Sequence, residues 1–346
     1  MKILNKFKIN KVILKNRICI APMCQYSAKN GNPTKWHYTH LEKLMNAGAG
    51  LVMIESTAVS KQGMITNQDL SLKSNENAKK LTRLIKCIRQ VSNTKIGLQL
   101  SHSGRKGSAM VPWVKSNSPL RLGKHGWQTI APSPIKRDKH WPEPKEANKN
   151  DIKIIVNDFV LAAERAKKIG FDCLEIHMAH GYLLHQFFSP ISNKRNDDYG
   201  GNLPNRCRIL LEIAKKVRKI WPKNKIIGAR VNGYDWLKEG SKISDCIYLS
   251  KKLKETGLDY VCVTSGGIVP KTNLKFKPGY QVFLAKKIRK ESKILVKTTG
   301  MIQNIKDAEK IIFNKSADLI SFGRKFISSP HWLIKELKKK KHKVNI

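Results

Sequence analysis

Acidic residues are scarce in this chain, and so are the features that mark membrane and secreted proteins. Asp and Glu together number 25 against 67 Lys and Arg, which leaves a formal net charge of +42 at pH 7. No apolar run reaches the roughly eighteen residues that a membrane-spanning helix needs. The start, Met-Lys-Ile-Leu-Asn-Lys, also lacks an apolar signal segment. We therefore expect a cytoplasmic protein with no membrane partner.

Paired cysteines are missing too. The seven cysteines are odd in number and scattered, and no two of them form a Cys-x-x-Cys motif. This spacing indicates neither a disulfide framework nor a zinc or iron–sulfur site. Reduced thiols fit a cytoplasmic chain, and we expect no bound metal.

The excess of lysine raises the question of nucleic-acid binding, because a basic face is typical of proteins that bind DNA or RNA. The chain has no known RNA or DNA motif and no basic stripe interleaved with aromatic residues. Only the tail, Lys338 to Lys341, is a cluster, and we expect a solvated lysine-rich surface with weak, nonspecific attraction to polyanions. The remaining doublets fall on separate predicted helices: Lys79-Lys80, Lys167-Lys168, Lys215-Lys216, Lys251-Lys252 and Lys286-Lys287.

Eight short apolar runs alternate with longer amphipathic stretches. This alternation predicts repeated βα units with a parallel sheet. No Gly-x-Gly-x-x-Gly follows the first run, which favours a closed (β/α)8 TIM barrel over a doubly wound open sheet. A chain of 346 residues suits one decorated barrel domain, residues 1–346. The predicted strands cover residues 18–23, 51–54, 96–100, 173–176, 226–231, 260–263, 294–296 and 319–322.

The amphipathic stretches predict the barrel helices. In the stretch 151–169 apolar residues recur at helical spacing, with Asn150 as the expected cap and Gly170 as the expected stop. The stretches 203–220, 244–256, 280–290 and 305–313 have the same pattern.

One segment, 101–150, departs from the alternation of apolar runs and amphipathic stretches. It holds six prolines, too many for a helix, and three tryptophans, an unusual load for disorder. A long loop inside a domain is usually functional. We interpret this segment as an excursion after the third barrel strand that crosses the mouth of the barrel and helps to wall its pocket.

The best candidate for an active site follows the fourth apolar run. That run ends in His177, His180 and Tyr182, at the strand end where barrel enzymes place their catalytic groups. Two imidazoles three residues apart can converge on one ligand atom while the phenol reaches a neighbouring one. A zinc site would want a third protein ligand, and no Cys pair or His-Glu motif is nearby. The other alternative is that His177 and His180 are buried structural residues. That interpretation suits a single isolated His better than two His that occur with a Tyr.

This segment also carries a resemblance to a known family. His-Met-Ala-His-Gly-Tyr at 177–182, Phe-Ser-Pro at 188–190 and Asn-Lys-Arg-x-Asp-x-Tyr-Gly-Gly at 193–201 resemble the old yellow enzyme family of FMN-dependent ene-reductases. The resemblance runs almost end to end. The motif Ala-Pro-Met-Cys-x-Tyr at 21–26 resembles the early motif of one bacterial branch of this family. Members of that branch have an active-site cysteine and are often called NADPH dehydrogenases.

The resemblance implies FMN as cofactor and NADPH or NADH as hydride donor, and it implies roles for residues at several strand ends. Cys24 would lie near the reactive nitrogen of the flavin, although as a residue type it is more often a small buried hydrophobe. Lys106 matches a family lysine near the active site and is equally interpretable as a solvated charge. The FMN-binding residues that the resemblance implies are Ala21, Pro22, Met23, Cys24, Ser56 and Gln99, and Tyr26 is implied in the substrate pocket; residue chemistry adds Arg230, Gly300, Gly323 and Arg324 to the predicted FMN-binding residues.

Residue chemistry supports several of these roles. The Gln99 amide, which has both donors and an acceptor, suits the uracil-like edge of a flavin. Arg230 leaves an apolar strand, where an unpaired Arg is costly to bury, so a charged partner is expected. A reduced flavin carries negative charge at this edge, which Arg230 could neutralise. Barrels commonly bind phosphate after strands seven and eight, where Gly300 and the pair Gly323-Arg324 stand. The glycines at 266–267, with Ser265, are expected on the ribityl side.

The implied reaction is a ping-pong reduction of the activated C=C bond of α,β-unsaturated carbonyl compounds, with nitro compounds or quinones as further acceptors. His177 and His180 would bind the carbonyl oxygen, and Tyr182 would protonate the α-carbon. A homo-oligomer is expected, although no Arg follows Arg324 to reach a neighbouring subunit. The alternatives are a related amine-dehydrogenase or dienoyl-CoA-reductase type of flavin enzyme, and a basic, non-enzymatic nucleic-acid-binding or scaffold barrel.

Overall fold

The structure is a computed structural model that describes residues 1–116 and 118–339. Within these residues eight parallel strands close into a barrel, and helices alternate with them along the chain. The predicted (β/α)8 barrel is therefore confirmed. The strands are β1 (Phe7–Ile9), β2 (Val12–Leu14), β3 (Ile18–Ile20), β4 (Leu51–Ala58), β5 (Lys95–Ser101), β6 (Ile130–Ala131), β7 (Lys145–Glu146), β8 (Cys173–Met178), β9 (Ile226–Asn232), β10 (Tyr260–Thr264), β11 (Leu295–Thr298) and β12 (Leu319–Phe322).

The barrel runs β3-β4-β5-β8-β9-β10-β11-β12 and closes back onto β3. The strand residues that face the helices form one large apolar core with them, and a second, smaller apolar cluster joins the alternate strand residues to β1 and β2. The helices are α1 (Lys35–Met45), α2 (Asn75–Val91), α3 (Pro112–Lys115), α4 (Lys149–Ile169), α5 (Leu183–Phe188), α6 (Leu203–Ile220), α7 (Ile243–Glu255), α8 (Val282–Ser292), α9 (Ile305–Phe313), α10 (Arg324–Ser328) and α11 (Trp332–Lys339), with 3-10 turns at Lys2–Leu4 and Gly104–Lys106.

All eight predicted barrel strands are present, but their ends differ from the apolar runs. β3 ends at Ile20 and not at Met23, because the chain from Ala21 onward leaves the sheet. β4 continues to Ala58 through polar residues, with a register shift between Ile54 and Ser56. β8 likewise includes His177, which pairs in register with Arg230 on β9. Strands extend into polar residues here because backbone pairing continues where the apolar pattern stops.

The predicted cap of α4 is wrong by two residues. Asn148, not Asn150, caps the helix by accepting a hydrogen bond from the Asp151 N–H at 2.8 Å, and Asp151 accepts in return from the Asn148 N–H at 2.9 Å. This reciprocal pair is a capping box, which outweighs a lone Asn next to the apolar pattern. Gly170 ends the helix in the left-handed region, as predicted. The bounds predicted for α6 and α9 are correct, and those for α7 and α8 are displaced by one or two residues.

The excursion after β5 contains more regular structure than its prolines predict. α3 begins at Pro112, which a first helical turn tolerates, and β6 pairs with β7. The Arg105 guanidinium donates to the carbonyls of Ile135 at 3.1 Å and Ile268 at 2.8 Å. The excursion is thereby tied to the loop that follows β10 at the carboxyl end of the barrel.

The antiparallel hairpin of β1 and β2 was not predicted. Its apolar residues Ile9 and Leu14 pack with Leu51, Cys173 and Ile226, which are the first residues of their barrel strands. The hairpin therefore covers the amino-terminal end of the barrel, opposite the strand ends that carry the candidate site.

The five lysine doublets all lie on helices, namely α2, α4, α6, α7 and α8, as predicted. Lys338 and Lys339 end α11, and Lys340 and Lys341 of the predicted tail cluster lie outside the described residues. No helix in the described part of the chain is long and apolar enough to cross a membrane.

Candidate active site

His177, His180 and Tyr182 surround a tight turn between β8 and α5. His180 and Gly181 both have left-handed backbone, with φ of 57° and 71°. Gly181 is required there, because a Cβ would collide with the carbonyl oxygen of Gly267 in the loop after β10. The Lys106 ammonium donates to the His180 carbonyl at 2.7 Å and so holds the turn from the other side.

The three side chains predicted to be catalytic lie together. His177 Nε2 lies 3.3 Å from His180 Nδ1, and the two rings meet edge to face with centroids 5.1 Å apart. The Tyr182 ring lies against the other side of His177, with a centroid distance of 4.9 Å. Two imidazoles and a phenol thus lie side by side, and His180 is the member of this group that lines the cavity described below.

Burial and charge keep these groups uncharged. Desolvation, then the positive charge of Arg230, lowers the pKa of His177 and of His180 well below the usual value. Burial raises the pKa of Tyr182. At neutral pH the site therefore offers neutral imidazoles and a protonated phenol, all of which can donate hydrogen bonds.

A second buried pair supports the turn from behind. His185 Nδ1 accepts from the Gly181 N–H at 2.7 Å, and His185 Nε2 lies 2.9 Å from the Asp235 carboxylate. Both side chains are fully buried. This dyad fixes the backbone between His180 and Tyr182, and neither residue was identified from the sequence as part of the site.

The segment 21–26 passes beside Tyr182. The Ala21 N–H donates to the Phe322 carbonyl at 2.8 Å, and the Gln25 N–H donates to the Glu55 carboxylate at 2.8 Å, so both ends of the segment are fixed to barrel strands. Cys24, Tyr26 and Tyr182 pack against one small apolar cluster. Burial raises the pKa of the Cys24 thiol, which is therefore protonated at neutral pH.

A cavity of about 650 Å³ opens next to His180, between β9, β11 and β12. Seven of the ten residues predicted to bind FMN line it: the segment 21–23, Arg230, Gly300 and Gly323-Arg324. Its volume lies within the range of cofactor pockets, roughly 300 to 1,000 Å³.

The groups lining this cavity suit a phosphorylated flavin. The buried Nε of Arg230 has no hydrogen-bond partner among the described residues, nor has the hydroxyl of Ser321, and both require one. Gly300 has φ of 113°, which an L side chain rarely adopts. Arg230 on β9, the unpaired Ser321 hydroxyl on β12 and the glycine backbone that follows β11 and β12 are the chemistry that a phosphorylated, polar cofactor needs.

Three predicted FMN residues do not line this cavity: Cys24, Ser56 and Gln99. The Gln99 amide nitrogen donates to the Glu175 carboxylate at 2.8 Å, inside the barrel. The Gln99 carbonyl and the second amide N–H therefore remain available to a ligand. Similarly, the predicted ribityl contact at Ser265 to Gly267 is not part of the cavity lining, because Gly267 packs against His180.

Glu175 belongs to a buried ion pair that the sequence did not reveal as part of the site. Lys297 Nζ lies 2.7 Å from the Glu175 carboxylate, which also accepts from the Tyr260 hydroxyl at 2.8 Å. Both charged side chains are fully buried. Thr264 was also missed: its hydroxyl lies 2.8 Å from His180 Nε2. The sequence offered three signals: Glu175 lies within the apolar run 173–176, Lys297 directly follows the run 294–296, and Thr264 directly follows the run 260–263.

Comparison with known proteins gives a consistent result. A model of the NADH:flavin oxidoreductase / NADH oxidase family matches residues 2–343. An NADH:flavin oxidoreductase of Gibberella zeae is 40% identical over 346 aligned positions, which cover 95% of this chain and 83% of that protein. An NADPH dehydrogenase of Clostridium acetobutylicum is 38% identical, covering 96% of this chain and 94% of that protein.

The fold is also similar to a solved structure of morphinone reductase in complex with tetrahydroNAD. The TM-score is 0.80, and the match covers 99% of this chain and 92% of that one at 23% identity. At this identity the likeness concerns the fold.

Proposed function

Because the chain belongs to the NADH:flavin oxidoreductase / NADH oxidase family and is an FMN-dependent NAD(P)H oxidoreductase of the old yellow enzyme type, we propose that it reduces the activated C=C bond of α,β-unsaturated carbonyl compounds. The observation that carries this proposal is the convergence of His177, His180 and Tyr182 beside the cavity that Arg230 lines. The choice of an enzyme over a non-enzymatic scaffold barrel is confirmed by the family.

The two imidazoles bind the substrate carbonyl in this proposal. Both are neutral, because burial and Arg230 lower the pKa of each. Neutral N–H donors in a buried site stabilise the negative charge that develops on a carbonyl oxygen as it becomes an enolate. FMN held in the cavity would supply hydride-transfer chemistry.

Tyr182 is the general acid in this proposal. Burial raises the pKa of its phenol, so the proton is retained at every working pH until a strongly basic carbon accepts it. The edge-to-face contact with the His177 ring holds the Tyr182 ring beside the imidazoles that bind the carbonyl in this proposal. The α-carbon, one bond from that carbonyl carbon, is then within reach of the hydroxyl.

We propose that the chain, residues 1–346, is a single domain and that this domain binds FMN. Segment 21–23, Arg230, Gly300, Gly323 and Arg324 hold it in the cavity, and Cys24, Ser56 and Gln99 remain proposed contacts on its barrel side. Since one cavity serves both ligands, nicotinamide and enone alternate and the kinetics are ping-pong. The seven free cysteines agree with the proposed cytoplasmic location, and the homo-oligomer stays a prediction.

Replacing Tyr182 with phenylalanine tests the proposed function. We expect reduction of the enzyme by NADPH and binding of phenols to be nearly unchanged, because neither needs the phenolic proton. Reoxidation by enones should slow by about 10²-fold or more, because the α-carbon has lost its acid. Quinones, which take protons on oxygen from solvent, should be reduced almost normally. Stopped-flow measurement of the two half-reactions separates these effects.

Tyr199→Phe is the matched control for this experiment, because it also removes a phenol hydroxyl, one whose contact is Glu212 on α6. It should leave both half-reactions unchanged. Equal slowing of both half-reactions by Tyr182→Phe would mean that the phenol binds ligands or supports the structure and that the proton comes from elsewhere.

A further inference from the structure

Three hydrogen-bond contacts form a continuous chain through the candidate site. The Ala179 N–H donates to His177 Nδ1 at 3.3 Å, His177 Nε2 lies 3.3 Å from His180 Nδ1, and His180 Nε2 lies 2.8 Å from Thr264 Oγ1. Thr264 is the last residue of β10, is only 2% exposed and lines the cavity. The chain of bonds therefore begins at the backbone of the turn and ends at a buried hydroxyl.

The positions of the imidazole protons follow from this chain. A neutral imidazole carries one N–H and one bare nitrogen. His177 Nδ1 accepts from a backbone N–H, so the His177 proton is on Nε2. That N–H faces His180 Nδ1, which must then accept, so the His180 proton is on Nε2 and is donated to Thr264. In this arrangement His180 has no N–H left on its Nδ1 side.

A carbonyl oxygen bound by both imidazoles requires a different arrangement. His180 must present an N–H from Nδ1, because Nε2 is occupied by Thr264. The ring then gives its Nε2 proton to water and takes a proton from water at Nδ1, so the proton count and charge of both the ring and the solvent are unchanged. His180 Nε2 becomes an acceptor, and a buried acceptor that loses its partner is costly.

We propose that Thr264 sets the tautomer of His180 by exchanging its role from hydrogen-bond acceptor to donor when a carbonyl or phenolate oxygen binds. A hydroxyl can do both by rotating about its C–O bond, whereas a methyl group can do neither. Thr264 is thus a positioning residue that acts through His180. This inference rests on the proposed function, since it assigns the oxygen-binding role to both imidazoles.

Contacts on both sides of His180 hold its backbone in place next to Thr264. Its φ of 57° places it in the left-handed region, and the Lys106 ammonium holds its carbonyl at 2.7 Å. Gly267 packs directly behind it, where a Cβ would lie 3.0 Å from the His180 carbonyl. With the backbone held, a change of tautomer offers a second N–H without displacing the ring.

The test compares Thr264→Val, which keeps the shape and removes the hydroxyl, with Thr264→Ser, which keeps the hydroxyl. Holoenzyme is titrated with 4-nitrophenol, whose phenolate oxygen imitates an enolate. We expect Thr264→Val to weaken binding by about tenfold, the effect of one hydrogen bond to a charged site. Thr264→Ser should remain within about threefold of the unsubstituted protein. Thr57→Val is the matched control, because that buried hydroxyl donates only to the Glu55 carbonyl.

Nitrogen-15 NMR of histidine-labelled holoenzyme reads the tautomer directly. With 4-nitrophenol bound, the unsubstituted protein should show His180 protonated at Nδ1, and Thr264→Val should show both tautomers, because a methyl group is a partner for neither. A Thr264→Val protein with unchanged affinity and a His180 proton only at Nδ1 would overturn the inference even if enones are reduced. If enones are not reduced but both Thr264 effects are seen, the proposed function fails and the inference about the tautomer stands.

Discussion

His177→Ala and His180→Ala should each slow enone reduction by about 10²-fold or more. Each removes one of two N–H donors that face a developing enolate, and the His177 ring is almost fully buried. Phenolic inhibitors should also bind more weakly, because their phenolate oxygen occupies the same place. The single-turnover rate of reoxidation by an enone, together with a phenol titration, measures both losses in one preparation.

The same two substitutions should also impair reduction by NADPH. The nicotinamide carboxamide and the enone oxygen compete for one position over the flavin, so both ligands use the imidazoles. This behaviour contrasts with that expected for Tyr182→Phe, which spares the first half-reaction. His125→Ala is a suitable control, because His125 is exposed on the excursion. Unchanged phenol affinity in both site variants would contradict the proposed binding of the oxygen.

Lys297→Met should destabilise the fold by about 3–5 kcal/mol. The substitution leaves the Glu175 carboxylate fully buried without the ammonium that lies 2.7 Å away. Burial alone would raise the pKa of Glu175, but Lys297 and then Arg230 hold it below the usual value. The midpoint of urea unfolding, with the slope of the transition, measures the loss.

The loss from Lys297→Met should grow as the pH rises from 5 to 8. In the unsubstituted protein the depressed pKa of Glu175 contributes stability that is present above the unfolded pKa and is lost only in acid, so it is constant across this range. In the variant, burial raises the pKa of Glu175 above its unfolded value, and stability then falls as the pH rises. The double variant Lys297→Met/Glu175→Gln should lose less than the sum of the single variants. Additive losses that do not depend on pH would contradict the ion pair.

The fold was largely predictable, because alternating apolar and amphipathic stretches follow directly from burial. The barrel strands were recognised where their residues are apolar. Their ends were not: β4 continues through Glu55 to Thr57, and β8 includes His177, because backbone pairing does not depend on polarity. The three-residue strands of the hairpin before the barrel are too short to carry a periodic signal.

The site was predictable only where its members are close in sequence. His177, His180 and Tyr182 lie within the six residues that directly follow an apolar run, which is a local signal. Thr264 contacts His180 across 84 positions of sequence, and Tyr260 contacts Glu175 across 85. These contacts form because β8, β9 and β10 are neighbours in the closed barrel, and the order and register of strands are not readable from one run of residues.

The most direct test of the proposed reaction separates its two halves in the unsubstituted protein. Under anaerobic conditions NADPH alone should bleach the flavin absorbance completely, and 2-cyclohexen-1-one added afterwards should restore it with one equivalent of cyclohexanone formed. Steady-state plots at several enone concentrations should then give parallel lines. A reduced enzyme that the enone does not reoxidise, or plots that intersect, would contradict a ping-pong reduction of the C=C bond at this site.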